Sequence, residues 1–270
     1  MWSNRIEACP APGDETPLPR NRLLRSLPRD DLERLVSFLH KVPLTPRRVL
    51  QHAGVPIEHL YFVEEGLVSV LAKTDDRNAV EVWLIGSDGV VGSAALLGIK
   101  MTTLSHFVQI GGSALRIGVE DLTRAISESS ALRGILHGYV HAALIQSSQS
   151  AACSLKHSLE QRLARWLLTA QDHSELDELP VTQDLLARSL GVHRPTVSGT
   201  FKLLERRGIF ARQRGLIRIL DRTALEGVAC RCYRAMAFSR DRWRRSETRQ
   251  KFVVALSILA ALFEFELLVQ

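Results

Sequence analysis

The chain has 270 residues, of which 46% are hydrophobic, so it is long and apolar enough for two domains with ordinary buried cores. Its four cysteines are too few for a disulfide framework and fit a reducing cytoplasm, and the N-terminal residues lack the long apolar core of a secretion signal. Residues 181–251 carry 17 Lys and Arg against 6 Asp and Glu, whereas residues 1–180 carry 18 against 21. This concentration of positive charge favours binding to nucleic acid phosphates.

The N-terminal half of the chain changes its pattern twice. Residues 1–20 are rich in proline and have little apolar periodicity, which indicates a flexible arm. A helix is predicted from about Pro28. From Val42 to Ile117, short β-branched runs are separated by glycines, which predicts a β-sandwich or jelly roll, and a short helix over residues 120–127 leads out of it.

A long helix is predicted next, because apolar residues recur at intervals of three and four from Leu132 onward. It continues through a run of small residues, 147–152, that would let a second helix approach closely. We therefore predict a dimerisation helix and hinge over residues 131–157, with a seam formed by Leu136, Val140, Ala143, Leu144, Ser147 and Ala151. The alternative is a helix packed on its own domain. A capping box, Ser158 to Gln161, starts the following helix.

Residues 181–218 have the pattern of a helix-turn-helix followed by a wing. Thr182 is a plausible N-cap, Gly191 allows the tight turn, and Gly208 ends a second helix that begins near Arg194. Two short apolar runs around a basic turn then predict the wing. The outward, basic row of the second helix suits the major groove, so the predicted DNA-binding residues are Thr182, Gln183, His193, Arg194, Thr196, Ser198, Lys202, Arg212 and Arg214. The alternative, a surface hairpin with solvated charges, does not explain the concentration of charge.

The cysteine spacing does not indicate a metal site, and the sequence has no motif that indicates an enzyme. Cys230 and Cys232 lie two apart on a predicted helix and would point to different faces, which favours a structural role over a metal site. The sequence lacks a nucleophile elbow, a phosphate-binding loop and a zinc-helix motif. We therefore predict no catalytic residues, no metal and no cofactor.

The order of these parts resembles the Crp/Fnr family of bacterial transcription regulators over residues 21–235. The resemblance is strongest in PVTQDLLARSLGVHRPTVSGTFKLLERRGI, with further matches in PIEHLYFVEEGLVS, EVWLIGSDGVVG and SAACSLKHSLEQRLARWLL. It implies an α+β fold with a double-stranded β-helix (jelly-roll) sensor domain at 21–130, the dimerisation helix, and a winged helix-turn-helix domain at 158–238. It also implies a homodimer that binds a palindromic operator, with RNA polymerase as a further partner.

The sequence departs from the family at positions that set specificity. Arg194 matches the family's guanine-contacting arginine, but Pro195 and Gly199 stand where a base-reading Glu and a second Arg are common. Cyclic-nucleotide binders of the family use a Gly-Glu pair and an Arg-Ser pair. The candidate effector pocket of this chain has different residues at these positions. It consists of Val91, Gly92, Ser93, Leu104 and Ser105. The effector is therefore left unidentified, and cyclic AMP is not expected to bind tightly.

The sequence also gives no support for two cofactor sites that other members of the family have. The N-terminal cysteine cluster of the iron–sulfur oxygen sensors is reduced to Cys9, and His106 and His137 are interpreted as ordinary histidines rather than haem ligands.

The C-terminal residues 239–270 leave the family's pattern. A basic segment precedes the apolar run FVVALSILAALF, which Glu264 and Glu266 interrupt before it reaches the ~20 residues that span a bilayer. We predict a short helix packed on another apolar surface of a cytoplasmic protein. The alternative is a membrane-associated signalling protein that uses the β-roll to bind an effector or partner.

Overall fold

A computed structural model of the protein describes residues 18–74, 79–174, 176–213 and 215–236. The predicted arm (apart from residues 18–20), Arg214 and the C-terminal segment 239–270 lie outside this range. The described helices are α1 Arg22–Arg25, α2 Arg29–Val36, α3 Val119–Glu128, α4 Ser130–Lys156, α5 Leu159–Ser174, α6 Gln183–Leu190, α7 Arg194–Arg206 and α8 Arg222–Val228. The described strands are β1 His40–Leu44, β2 Val49–Gln51, β3 His59–Lys73, β4 Ala79–Ile85, β5 Val90–Val91, β6 Leu104–Gly118, β7 Glu178–Leu179, β8 Phe210–Gln213 and β9 Leu216–Ile219.

Strands β1–β6 form an antiparallel β-roll, which confirms the jelly-roll prediction. The two 15-residue strands, β3 and β6, pair along most of their length, and register shifts between Val63 and Val68 mark irregularities in the ladder. Such bulges bend a strand, so one pair of long strands contributes to a curved sheet. Strands β1 and β2 extend the sheet from β6, and β4 and β5 extend it from β3.

The chain leading into the roll is anchored by Asn21, a feature that the sequence reading missed. The fully buried Asn21 side chain donates hydrogen bonds to the Val63 and Gly89 carbonyls at 2.8 and 2.9 Å, and it caps α1 by accepting from the Leu23 and Leu24 amides. Both leucines are buried in the core that the roll shares with α4. This side chain therefore ties the start of α1 to two carbonyls of the β-roll and fixes where the incoming chain meets the roll.

Helix α4 lies against the β-roll and then leads to the DNA-binding half of the chain. Leu132, Leu136 and Tyr139 are buried on its roll side, and the Tyr139 hydroxyl donates to the Val90 carbonyl at 3.1 Å. The helix ends at Lys156, and the predicted capping box starts α5: Ser158 and Gln161 exchange side-chain-to-amide hydrogen bonds of 3.1 and 3.3 Å. The chain therefore changes direction at His157 and Ser158.

Helices α5–α8 and the sheet β7-β9-β8 form a winged helix-turn-helix unit. Phe201 of α7 and Phe210 of β8 meet edge to face, with ring centroids 4.9 Å apart, and join the wing to the helices. Strand β7, which pairs with β9, was not expected from the sequence. Among the described helices, none is both long enough and apolar enough to cross a membrane.

Candidate DNA-binding surface

The turn between α6 and α7 has the backbone that the sequence predicts. The Thr182 hydroxyl accepts from the Leu185 amide at 3.3 Å and caps α6, and Gly191 ends that helix with a φ of +64°. Pro195 lies in the first turn of α7, where a backbone donor is not required. Gly208 follows α7 with a φ of +69°. Only glycine adopts these left-handed conformations without strain, so both helix ends are encoded locally.

The predicted recognition residues lie on the outer side of this motif. Their side chains are exposed at Thr182, His193, Arg194, Thr196 and Lys202 and half-buried at Gln183 and Ser198. The Ser198 hydroxyl donates to the Gln183 side-chain oxygen at 2.7 Å, which orients this pair before any ligand binds. The inner residues of α7, Val197, Phe201 and Leu204, fill the core of the unit. Helix α7 therefore presents a polar and basic face to solvent.

Arg194 has a partner in the free protein that the sequence reading did not find. Its Nε lies 3.3 Å from the Asp184 carboxylate in the first turn of α6, with both side chains more than half exposed. An exposed pair of this kind stabilises a fold by about 0–1 kcal/mol, so DNA can displace the aspartate at little cost. This pair could have been predicted from the sequence, because the first turn of α6, which carries Asp184, lies next to the start of α7 in a helix-turn-helix.

The wing carries further exposed positive charge. Arg212 lies on β8, with its Nε 3.8 Å from the Glu205 carboxylate, and Arg218 on β9 is paired with Glu178. Arg214, the other predicted wing residue, is outside the described range. Arg212 is thus available to contact a phosphate next to the groove that α7 would enter.

The DNA-binding unit is packed on the β-roll around a half-buried carboxylate, Glu81 of β4. Glu81 accepts hydrogen bonds from Trp166 Nε1 of α5 at 2.6 Å and from the Ser189 hydroxyl of α6 at 3.0 Å. Ser69 and Gln109 of the roll donate to it at 2.6 and 3.4 Å. Burial raises the pKa of Glu81, and these hydrogen bonds lower it by less.

Glu81→Gln is expected to stabilise the protein by an amount that grows as pH rises from 4.5 through the raised pKa of Glu81, a change to be followed between pH 5 and 8. A raised folded-state pKa means that the stability linked to Glu81 is fully present below its ordinary value of 4.5 and is lost as pH rises through the raised value. The limiting slope for one proton is about 1.4 kcal/mol per pH unit. Glutamine removes this term and retains partners, because its oxygen can accept from Trp166 and its amide can donate to the Gln109 side-chain oxygen, which has no partner among the described residues. Calorimetric melting of both proteins across this pH range measures the effect.

The matched control for this prediction is Glu128→Gln at the exposed end of α3. It removes the same charge without a buried environment, so its melting temperature should follow that of the wild type at every pH. If the Glu81 and Glu128 variants give parallel pH profiles, the Glu81 carboxylate is not the source of the pH-dependent stability.

A cavity of about 320 Å³ opens beside this junction. It is bordered by β4, α4, α5 and α6, and its lining includes Glu81, Ser147, Arg162 and Arg165. The Nε atoms of both arginines are buried with no hydrogen-bond partner in the described part of the chain. The volume and the two lining arginines fit a small polar or anionic ligand.

The predicted effector residues lie around a different part of the roll. Val91 is buried, Gly92 has a φ of +87° and precedes a 3-10 helix, Ser93–Leu97, and Leu104 and Ser105 begin β6. The Ser105 hydroxyl accepts from the Ala53 amide at 3.2 Å. None of the five residues lines the cavity at the junction. Burial lowers the pKa of the nearby His106 to about 4, so this imidazole is neutral at pH 7, whereas His137 is exposed on α4.

The predicted seam residues of α4 are divided between two faces. Leu136 and Ala143 are buried within the protomer, Val140 and Ser147 are partly buried, and Leu144 and Ala151 are exposed. Leu136 and Ala143 are therefore not available to a second subunit. Six of the exposed positions recur at intervals of four and three, as in a coiled-coil seam. They are His137, His141, Leu144, Ser148, Ala151 and Leu155.

The expected orientation of Cys230 and Cys232 is wrong. Helix α8 ends at Val228 and Ala229 is extended, so Cys230 does not share a helix with its predecessors. Both thiols instead face Cys153 and His157 at the end of α4. The hydrogen bond between Cys153 and Cys230 lowers the pKa of the Cys153 thiol to about 5 and raises the pKa of Cys230.

A β-roll, a long connecting helix and an exposed winged helix-turn-helix together define a DNA-binding transcription regulator with a cyclic-nucleotide-binding-type domain. Residues 41–129 match the family described as cyclic nucleotide-binding domain, and residues 161–228 match the Crp-like helix-turn-helix domain. The chain belongs to the Crp/Fnr family of transcription regulators. A comparison with curated proteins returns no match.

Solved structures share the same fold at low sequence identity. FixK2 from Bradyrhizobium japonicum is 17% identical, with a TM-score of 0.62, over 71% of this chain and 98% of its own. The c-di-GMP responsive global regulator CLP from Xanthomonas campestris is 19% identical, with a TM-score of 0.60, over 71% and 99%. A CRP/FNR family regulator from Thermus thermophilus is 23% identical, with a TM-score of 0.56, over 70% and 98%. These similarities establish the architecture, while the binding residues have to be judged on this chain.

Proposed function

We propose that the protein is a homodimeric, sequence-specific regulator that reads a palindromic operator with Arg194 and the exposed face of α7. The observation that carries this proposal is the outward row of α7, which is exposed, polar and basic while its inner row is buried. Arg212 on the wing would add affinity for DNA phosphates. We further propose that the protein acts in the cytoplasm and that RNA polymerase is a partner. We propose no catalytic activity for the chain.

Selection of bound fragments from random duplex DNA tests the proposal directly. A two-fold symmetric motif is expected, with half-sites about one helical turn apart, because each subunit of a symmetric dimer places one recognition helix in the major groove. An unsymmetric set of fragments with no shared motif would contradict it.

The sensor function is proposed to depend on an effector other than cyclic AMP or cyclic GMP. Ser93 and Leu104 replace the Glu and Arg that the resemblance predicts for ribose and phosphate, and a buried phosphate without arginine loses a charge-assisted bond of about 1.5–3 kcal/mol. The cavity beside Glu81 supports effector control differently, since a ligand there would touch the roll, α4 and the DNA-binding unit together.

Isothermal titration with cyclic AMP and cyclic GMP is therefore expected to give no binding at micromolar nucleotide. The Leu104→Arg variant is the informative comparison, because it restores the missing cation at the aligned position. Micromolar or tighter binding by the wild type would show that the pocket alignment is incorrect.

A further inference from the structure

Four metal-ligating side chains converge where the long helix meets the end of the DNA-binding unit. The Sγ atoms of Cys153 and Cys230 are 3.4 Å apart, and His157 Nδ1 lies 3.4 Å from Cys153 Sγ and 3.6 Å from Cys232 Sγ. All four ligand atoms lie within 4.8 Å of one another. The three cysteines are buried and form no disulfide with one another.

The local structure explains why these side chains meet. Cys153 and His157 are four residues apart, so they lie on the same face at the end of α4. The extended backbone at Ala229, which has a φ of −62° and a ψ of 146°, breaks α8 before the second pair. Cys230 and Cys232 then approach α4 from the other side. Two ligands thus come from each side of the bend at His157 and Ser158.

We propose that Cys153, His157, Cys230 and Cys232 bind one tetrahedral Zn²⁺ ion. Zn–S bonds of about 2.3 Å and Zn–N bonds of about 2.0–2.1 Å imply S···S separations of about 3.8 Å and S···N separations of about 3.5 Å in a tetrahedron. Three of the six separations, at 3.4–3.6 Å, are close to these values, and none of the six exceeds 4.8 Å. Three thiolates and one imidazole form a structural zinc set, and ligand atoms this close surround one ion rather than a multi-iron cluster.

The surroundings of the cluster fit the charge of such a site. Three thiolates and Zn²⁺ leave a net charge of −1. Arg165 is buried, its Nη1 lies 3.7 Å from Met236 Sδ, and Met236 packs in the same cluster as the cysteines. The Nε of Arg165 has no partner among the residues described. A buried guanidinium needs a compensating negative charge, which the metal thiolates would supply.

An outer hydrogen bond also supports the assignment. Gln149, one turn before Cys153 on α4, donates from its Nε2 to Cys232 Sγ at 3.0 Å. Donors to a ligating sulfur orient the ligand and stabilise its negative charge. A filled site would join α4 to the end of the DNA-binding unit and restrict rotation at the hinge. Metal binding itself is independent of the DNA-binding proposal, because it is measured without DNA.

The test is the metal content of full-length protein purified under reducing conditions without chelators. Elemental analysis is expected to find one zinc per chain in the wild type and less than a tenth of that in Cys230→Ser and Cys232→Ser. Cys9→Ser removes the remaining cysteine and is expected to retain one zinc, because four ligands are already present. Wild-type protein with less than a tenth of an equivalent of zinc would overturn the proposal, as would iron accompanied by acid-labile sulfide.

A second measurement avoids variants that fail to fold. Wild-type protein freed of metal and titrated with Co²⁺ is expected to saturate at one equivalent and to develop thiolate-to-cobalt charge-transfer and tetrahedral d–d absorption bands. Addition of Zn²⁺ should remove these bands and raise the melting temperature, since an ion that binds the folded state stabilises it. Absence of the bands in fully reduced protein would overturn the assignment, and so would a Cys153–Cys230 disulfide in protein purified without reductant.

Discussion

Arg194→Ala is expected to remove most of the protein's discrimination between its operator and random DNA. The guanidinium stands at the start of an exposed recognition helix, where a bidentate contact to guanine is worth about 1–3 kcal/mol, or roughly 5- to 150-fold, per half-site. The fold should be unaffected, because an exposed cation at a helix N-terminus opposes the helix dipole and its loss does not destabilise the helix. Competition binding with operator and random duplexes measures the loss.

Two variants separate base recognition from general attraction. Arg212→Ala on the wing should weaken binding to all sequences alike and reduce the salt dependence by about one counterion, while discrimination is retained. Asp184→Asn removes the partner of Arg194 in the free protein and should leave discrimination intact. An Arg194→Ala protein that still prefers its operator as strongly as the wild type would show that another residue reads the base.

Leu144→Glu is expected to convert the protein to monomers and to abolish binding to a palindromic site. Leu144 is 63% exposed at the middle of the α4 face whose positions repeat at intervals of four and three. A symmetric dimer would bury two facing carboxylates there, and an uncompensated buried charge costs about 3–5 kcal/mol, which is more than 100-fold in the dimer dissociation constant. Sedimentation equilibrium and operator titration on the same samples measure both effects.

The control for the seam is Leu97→Glu. Leu97 is 58% exposed on the 3-10 helix of the β-roll, so it adds the same charge at a similarly exposed apolar position away from the proposed seam. This variant should remain a dimer and bind normally. A wild type that is monomeric at micromolar concentration, or a dimeric Leu144 variant, would remove the basis for two-fold recognition.

Local signals in the sequence predicted the elements well because each depends on neighbouring residues. The Thr182 cap, the Ser158–Gln161 capping box and the glycines at 191 and 208 act within one helical turn. Which face of α4 packs on the β-roll was harder to predict. Its small and apolar residues cover most of its circumference, so periodicity did not separate Leu136, which faces the roll, from Leu144, which faces solvent.

Apart from the Asp184–Arg194 pair, the contacts missed from the sequence join residues far apart in the chain. Cys153 and Cys230 are 77 residues apart, and Glu81 receives hydrogen bonds from Trp166 and Ser189, which lie 85 and 108 residues later in the chain. From the sequence, Cys230 and Cys232 were predicted to lie on a helix, whose spacing would point the two thiols to different faces. Only the end of α8 at Val228 places them together. Tertiary packing of this kind leaves no local pattern that a sequence reading detects.

The DNA-binding unit of this protein shares a hydrophobic core with the β-roll, so it cannot be transferred to another sensor by itself. Leu67, Leu84 and Ile110 of the β-roll belong to the same buried cluster as Leu163 and Leu167 of α5. Excising either half would expose this apolar surface to water, at about 25 cal/mol for each Å² uncovered. A graft of residues 158–236 onto another sensor therefore has to supply a matching apolar face.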